Sequence, residues 1–193
     1  MPILGSYCAP YTIGPPEYRT DPIPEVMMLD RIAPDGVVLF RGGLCTDWVN
    51  NPEKKPERAR FVSGHFLFAP GTFVRDVPAD SGVYFTGEEL MLAARAFTQG
   101  YDLFHPSKHI LWHEYTRAAR PKHWDHHTNW HVASSAGENR VLKLLTEWPI
   151  GHYEFGNVRS KAEYEAYTGL DFTKWTATDA AIRGEEPPPI IRV

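Results

Sequence analysis

Residues 86–100, TGEELMLAARAFTQG, constrain the fold of this chain more than any other stretch. Leu90, Ala93, Ala94 and Phe97 recur at helical spacing, and Gly100 ends the run as a residue just past a helix should. Thr86 stands three residues before Glu89, the spacing of a capping box in which each side chain satisfies the other's orphan amide. Short β-rich runs flank this helix, at 83–85 before it and at 101–104 and 109–113 after it, the last two separated by a Pro106-Ser107 turn. A strand, a crossing helix and returning strands place the chain in the α/β class.

The remaining segments fit around that unit. Residues 1–35 carry Pro10, Pro15, Pro16, Pro22 and Pro24 and read as extended chain with turns, without a central strand or a helix. Residues 36–42 form a short β-rich run, and 50–58 a charged, proline-containing loop. Residues 61–69, FVSGHFLFA, read as a strand with Gly64 inside it, marking either a bulge or the close approach of a backbone or ligand. Pro70-Gly71 turns the chain, and 72–77 continue extended. Residues 114–135 are polar and rich in histidine, and 138–148 form an amphipathic helix carrying Val141, Leu142, Leu144 and Leu145. Ser160 with Glu163 is a second capping box, opening a helix that Gly169 closes. One more helix is expected within 171–184, ahead of a polyproline tail that either packs on the domain or stays in solvent. No internal repeat is visible. The expected division is a core over residues 1–117 and a helical and loop extension over 118–193 packed upon it.

Composition narrows the function classes. The chain has 193 residues with 20 Lys+Arg against 24 Asp+Glu, a net charge of −4, and 42% hydrophobic residues. That content suits a packed core, and mild acidity argues against a partner such as duplex DNA or an anionic membrane. No apolar run approaches the roughly 20 residues that span a bilayer. The opening MPILGSYCAP lacks the charged start and apolar stretch of a secretory signal. Cys8 and Cys45 form neither a disulfide framework nor a paired metal motif, so a cytoplasmic setting is expected.

Chemistry-bearing residues concentrate between Phe85 and His113. Helix amides around Glu88 and Glu89 make a polar, partly positive corner, carboxylates there can orient an alcohol, and an imidazole at a strand end suits a divalent metal. Each residue also has a plainer reading. Glu89 can be only a capping-box partner, Glu88 a solvated first-turn carboxylate, and His113 a structural histidine.

In order and spacing, this unit resembles the second half of a GT-A type glycosyltransferase. It is similar in interval to the mucin-type polypeptide N-acetylgalactosaminyltransferases, where an aromatic-x-Gly-Glu corner precedes a metal-binding histidine. The closer resemblance is to the cytoplasmic N-acetylglucosaminyltransferases that modify hydroxyproline on a ubiquitin-ligase subunit, and to their bacterial relatives. It is carried by FVSGHFLFAPGTFVRDVPAD, by YFTGEELMLAARAFTQGYDLFHPSKHILWHEYTR and by FGNVRSKAEYEAYTGLDF, with PILGSY similar to the strand after the nucleotide site.

The resemblance implies a partial GT-A core, Rossmann-like, with a mixed sheet and flanking helices. It implies transfer of a sugar, N-acetylglucosamine, from a UDP-sugar to a hydroxyl on a protein or small acceptor. Glu88 and Glu89 become the catalytic acidic pair, His113 a ligand of Mn²⁺, and Gly64, His65, Gly87, Trp112 and Arg117 substrate-binding residues, with Gly64 in the acceptor-side loop and Arg117 near the diphosphate. Such relatives retain configuration, so the departing phosphate oxygen can take the acceptor's proton. They also carry an earlier Asp-x-Asp or Asp-x-His element. Neither Asp76-Val77-Pro78 nor Asp80-Ser81-Gly82 fits it, and Asp125-His126-His127 lies on the wrong side of the core. The expectation is therefore a C-terminal half that works with a separate N-terminal half or as a homo-oligomer. A non-catalytic remnant that binds a glycan or protein is the alternative.

The histidine cluster adds two readings. His127 and His131 have the i,i+4 spacing of metal ligands on a helix, and His123-Trp124-Asp125 with His152 and Arg159 resembles an iron/2-oxoglutarate oxygenase set. Otherwise the segment is a loop that folds over the nucleotide with an imidazole and Trp124 or Trp130, or a polar surface loop.

Overall fold

The computed structural model describes residues 1–14, 18–19, 22–51, 53–116 and 120–190. The strands and helices follow the order β1 (Pro2–Ser6), β2 (Ala9–Thr12), β3 (Tyr18–Arg19), β4 (Glu25–Ile32), β5 (Val38–Leu44), α1 (Thr46–Val49), β6 (Glu57–Arg58), β7 (Phe66–Phe68) and α2 (Phe73–Asp76). Then come α3 (Glu88–Thr98), β8 (Asp102–His105), β9 (Trp112–Glu114), α4 (His123–His126), α5 (Trp130–Glu147), α6 (Lys161–Thr168), β10 (Leu170–Asp171), β11 (Thr176–Ala177) and α7 (Asp179–Ile182). The class is α/β, with a mixed sheet and flanking helices. No described helix is long and apolar enough to cross a membrane.

The main sheet has the order β6-β8-β1-β7, with β1 parallel to β8 and antiparallel to β7. A second sheet, β3-β2-β9, continues the same pattern, with β2 parallel to β9. The two chain segments thus run side by side twice, first as β1 with β8 and then as β2 with β9. That repetition delivers residue 113 beside the N-terminal strands. β4 and β5 form a separate hairpin.

β1 corrects the expectation that the proline-rich opening holds no central strand. Pro2 is the first residue of the strand, where a missing amide is tolerated, and the next proline is Pro10. Pro24 likewise stands just before the eight-residue β4. Pro15 and Pro16 lie outside the described residues. Prolines here punctuate strands rather than exclude them.

Three other expected strands change. Of 61–69 only Phe66–Phe68 is strand; Phe61, Val62 and Ser63 are fully buried as irregular chain, and Gly64 follows them on a turn. Residues 83–85 are not strand, because Phe85 takes a left-handed φ of 64°. Residues 72–77 hold the short α2 instead of extended chain. Helix α5 starts eight residues before the expected 138, and the expected helix within 171–184 shortens to α7, preceded by the β10–β11 pair. The second capping box holds as expected, with Ser160 accepting from the Glu163 amide and Gly169 closing α6 at φ 73°.

The core sits between α3 and the main sheet. Leu90, Ala93, Ala94 and Phe97 of α3 are at most 2% exposed, as are Ile3, Phe61 and Leu103 opposite them. Each large side chain buried this way contributes about 1.5–3 kcal/mol. The same cluster takes in Val141, Leu144 and Leu145 from α5 and Tyr164 and Tyr167 from α6. Buried Arg95 on α3 donates to the carbonyls of Pro78, His152 and Glu154, and Arg159 pairs with Asp102, so the loops around α3 are tied to it. The tail packs on the domain: Arg58 Nε donates to the Pro187 carbonyl at 2.8 Å and Arg60 Nη2 to that of Glu185 at 3.0 Å.

Candidate active site

Helix α3 opens without a side-chain cap. Its N-cap is Gly87 at φ 88°, not Thr86, so Glu89 falls one position short of a capping box. The reason lies in the turn. Phe85 and Gly87 are both left-handed, which shifts the start of the helix by one residue and leaves it without a side-chain cap. A Cβ on Gly87 would stand 2.8 Å from Val141 Cγ2, so glycine is required both by conformation and by the approach of α5.

That uncapped start faces a cavity of about 640 Å³. Phe85, Gly87, Glu88 and Glu89 form one wall, and Gly64, His65, His113 and Tyr115 the adjoining one. Val38, Leu39, Phe40, Arg41 and Gly42 of β5 stand opposite, with Tyr7 and Glu25 completing the lining. The structure therefore brings together Glu88, Glu89, Gly87, Gly64, His65 and His113, which the sequence scatters over 50 positions.

The two glutamates differ. Glu89 is half-buried and accepts a hydrogen bond from the Gly64 amide at 2.8 Å. Burial raises its pKa, that bond and the neighbouring Ser63 and Tyr7 hydroxyls pull it down, and the Glu88 charge raises it; the net direction is upward. Glu88 is exposed to the cavity and makes no hydrogen bond or ion pair with another described residue. Glu89 is a strut, and Glu88 is the open carboxylate.

An aromatic cluster holds the adjoining wall. His65 and His113 stack with ring centroids 4.7 Å apart at 18°, Tyr7 lies 4.9 Å from His65, and Tyr115 lies 4.4 Å from His113. Tyr115 donates its hydroxyl to the Cys8 carbonyl at 2.8 Å, and burial first, then the Glu25 charge, pushes its pKa up to about 12. Burial also raises Glu25. Tyr7 is raised by burial and then by the Glu89 charge.

Trp112 is not in the cavity, a correction that follows from strand geometry. Adjacent residues of β9 point to opposite faces, so with His113 inward Trp112 turns outward, where it meets His109 at 4.4 Å and the Arg19 guanidinium at 5.2 Å. Arg117 lies outside the described residues. The same alternation carries Tyr115 inward with His113, a signal available in the sequence. Tyr7, Glu25 and Arg41 come from strands far away in the chain and carried no local signal.

The histidine cluster divides. His123 contacts Tyr84 and Phe85, whose ring is 5.2 Å away, and so places α4 beside the cavity wall. His127 caps the end of α4 while His131 belongs to α5, so the i,i+4 pair does not share a helix. His152 meets Tyr153 edge-on and Arg159 is committed to Asp102, leaving no assembled oxygenase set among the described residues. Among the described residues no three His, Cys, Asp or Glu side chains group as a metal ion requires. Applied to Mn²⁺, the residues present do not amount to a complete site, and His113 can be one ligand only.

A chain of this class, with an acid-lined cavity at a helix start, fits a group-transfer enzyme. The model of the glycosyltransferase (GlcNAc) family matches residues 2–174, which include every residue of the cavity lining, and the chain belongs to that family. No curated protein and no solved structure matches it. The family domain points to glycosyl transfer.

Proposed function

We propose that this chain forms the acceptor-side part of a GT-A type transferase of the hydroxyproline-modifying kind, moving N-acetylglucosamine from a UDP-sugar to a hydroxyl on a protein or small acceptor. The observation that carries the reading is the meeting of Glu88, Glu89 and His113 on one cavity of a chain in this family. In this reading the acceptor hydroxyl lies against Glu88, and the same carboxylate stabilises positive charge developing on the sugar. The bond from sugar C1 to the phosphate oxygen breaks, the bond from C1 to the acceptor oxygen forms on the same face, and the acceptor's proton passes to the departing phosphate oxygen. No strong base is needed. Glu89 keeps the first turn of α3 in place.

Charge decides how the donor lies. Glu25, Glu88 and Glu89 line the cavity against one described cation, Arg41. A diphosphate is repelled from such an interior, so the sugar and acceptor occupy it and the diphosphate stays at the rim near His113. Its positive partners are then Arg117 and a divalent ion such as Mn²⁺, for which His113 would be one ligand and an Asp-x-Asp element on a separate segment would supply others. Cytoplasmic residence, and a role without nucleic acid or membrane, belong to the same proposal.

The test uses the full chain with UDP-N-acetylglucosamine and Mn²⁺. Glu88→Gln, Glu89→Gln and His113→Ala are expected to cut turnover severely without loss of thermal stability; near-normal turnover in all three would refute the reading. The shortage of cations favours one other reading, a remnant that binds a neutral glycan without the nucleotide. Tight calorimetric binding of the UDP-sugar by this chain alone would exclude it.

A further inference from the structure

We propose that Glu25 is a specificity-determining residue of this site, taking a positively charged group that the acceptor carries beside its reacting hydroxyl. The inference rests on the transferase reading and deepens it, because it names the charge of the acceptor. The β4–β5 hairpin breaks its own pattern at Glu25. Along β4 the side chains alternate, so Glu25, Met27 and Leu29 fall on one face. Met27 and Leu29 are 3% and 1% exposed. Across the hairpin Leu29 pairs with Phe40, whose ring meets that of buried Phe61 at 4.7 Å, so this face is turned to the core. Glu25 is the third residue of the row and puts a carboxylate where the other two put hydrocarbon.

The row runs out of the core into the cavity, whose lining Glu25 joins. Glu25 is half-buried, and among the described residues nothing donates a hydrogen bond to it or forms an ion pair with it. Burial raises its pKa with no protein contact to offset the shift. The facing strand is shaped around this side chain. Gly42 pairs with Met27 and so lies diagonal to Glu25 in the ladder, and a Cβ on it would stand 2.5 Å from Glu25 Oε2. A side chain at 42 would push the carboxylate aside. A half-buried charge left without a protein partner is satisfied by what enters the cavity. Glu89 already has the Gly64 amide, and Glu88 faces the reacting hydroxyl in the transferase reading, which leaves Glu25 for a neighbouring group. Three carboxylates attract an ammonium or guanidinium together, whereas a neutral hydroxyl gains one hydrogen bond.

The test gives the full chain UDP-N-acetylglucosamine, Mn²⁺ and three hydroxyproline peptides that differ only in whether lysine, glutamine or glutamate flanks the hydroxyl. The wild type is expected to favour the lysine peptide over the glutamine one by about tenfold in kcat/KM, the size of one hydrogen bond to a charged group, and to use the glutamate peptide worst. Glu25→Gln keeps the shape and removes the charge, and the lysine-to-glutamine ratio should fall to about one. Gly42→Ala keeps every charge but displaces the carboxylate, and it should shrink the ratio as well. Equal use of the lysine and glutamine peptides by the wild type would mean that Glu25 takes an uncharged hydroxyl, and overturns the inference. A ratio that survives Glu25→Gln overturns it too. Should the wild-type chain transfer sugar to no peptide, the transferase reading fails by itself, and calorimetry of the peptides without donor still decides. Tighter binding of the lysine peptide that Glu25→Gln abolishes supports the role of Glu25, and equal or absent binding overturns it.

Discussion

The cavity has two walls of opposite character. On one side, α3 and the turn at 63–65 are locked: Glu89 accepts the Gly64 amide at 2.8 Å, Gly87 sits against Val141, and α3 is buried along its inner face. On the other, β5 presents an exposed Arg41, and the hairpin it belongs to ends in an exposed Leu44. The difference teaches which groups can perform chemistry and which can only select. A transition state is stabilised by groups that are in place before it forms, and only the α3 wall offers that. The β5 wall offers an exposed cation, Arg41, that can select what enters.

The largest effect that could break this comparison is at Glu88. Glu88→Gln is expected to lower kcat about 10²–10³-fold, the range for removing one group that meets developing charge. Being exposed and unbonded among the described residues, Glu88 should contribute nothing measurable to folding, so the thermal midpoint stays with wild type. A stopped assay of UDP release alongside calorimetry checks both. Intact kcat would move the chemistry off this wall.

Next in size is Gly87→Ala. A side chain at φ 88° is strained, and its Cβ would press on Val141, so a loss of about 2–4 kcal/mol in urea unfolding is expected. Activity should fall with it, because the turn that aims both glutamates shifts.

Glu89→Gln sharpens the contrast through pH. Burial leads the causes that raise the folded pKa of Glu89, so over the window just above the ordinary carboxylate value the folded chain keeps a proton that the unfolded chain has released. Stability from this group therefore declines as pH rises through that window, and the burial cost is complete above it. Glutamine has no charge to bury, and its amide oxygen can still accept from the Gly64 amide. The variant is expected to be slightly more stable than wild type at neutral pH, with the gain shrinking in acid, while turnover falls. Melting curves across the pH series would show this.

How much of this was legible in the sequence follows the same division. Helix α3 was readable because Leu90, Ala93, Ala94, Phe97 and Gly100 form a local pattern, and the grouping of Glu88 with His113 came from order along the chain. The misreading of Glu89 as a capping partner of Thr86 arose because a capping box is a spacing, while the left-handed turn at Phe85 and Gly87 that shifts the cap by one residue is a conformation. Trp112 was misplaced for want of strand alternation. Tyr7, Glu25 and Arg41 could not be read at all, since they reach the cavity through β1 and the β4–β5 hairpin, whose pairings join residues far apart and leave no periodicity of their own.

The smallest expected effect belongs to Arg41, and it tests the selecting wall directly. Arg41 is the one described cation lining the cavity, and its guanidinium makes no ion pair with another described residue. Because it is exposed, Arg41→Ala should leave the thermal midpoint unchanged within error. Because water screens it, its pull on an anionic substrate is weak, and a rise in donor KM of about two- to fivefold with kcat unaltered is expected. Raising the salt should erase the difference between variant and wild type, as it does for any exposed charge. A large fall in kcat would mean that Arg41 is held in the transition state, and the division between a fixed wall and a selecting one would no longer stand.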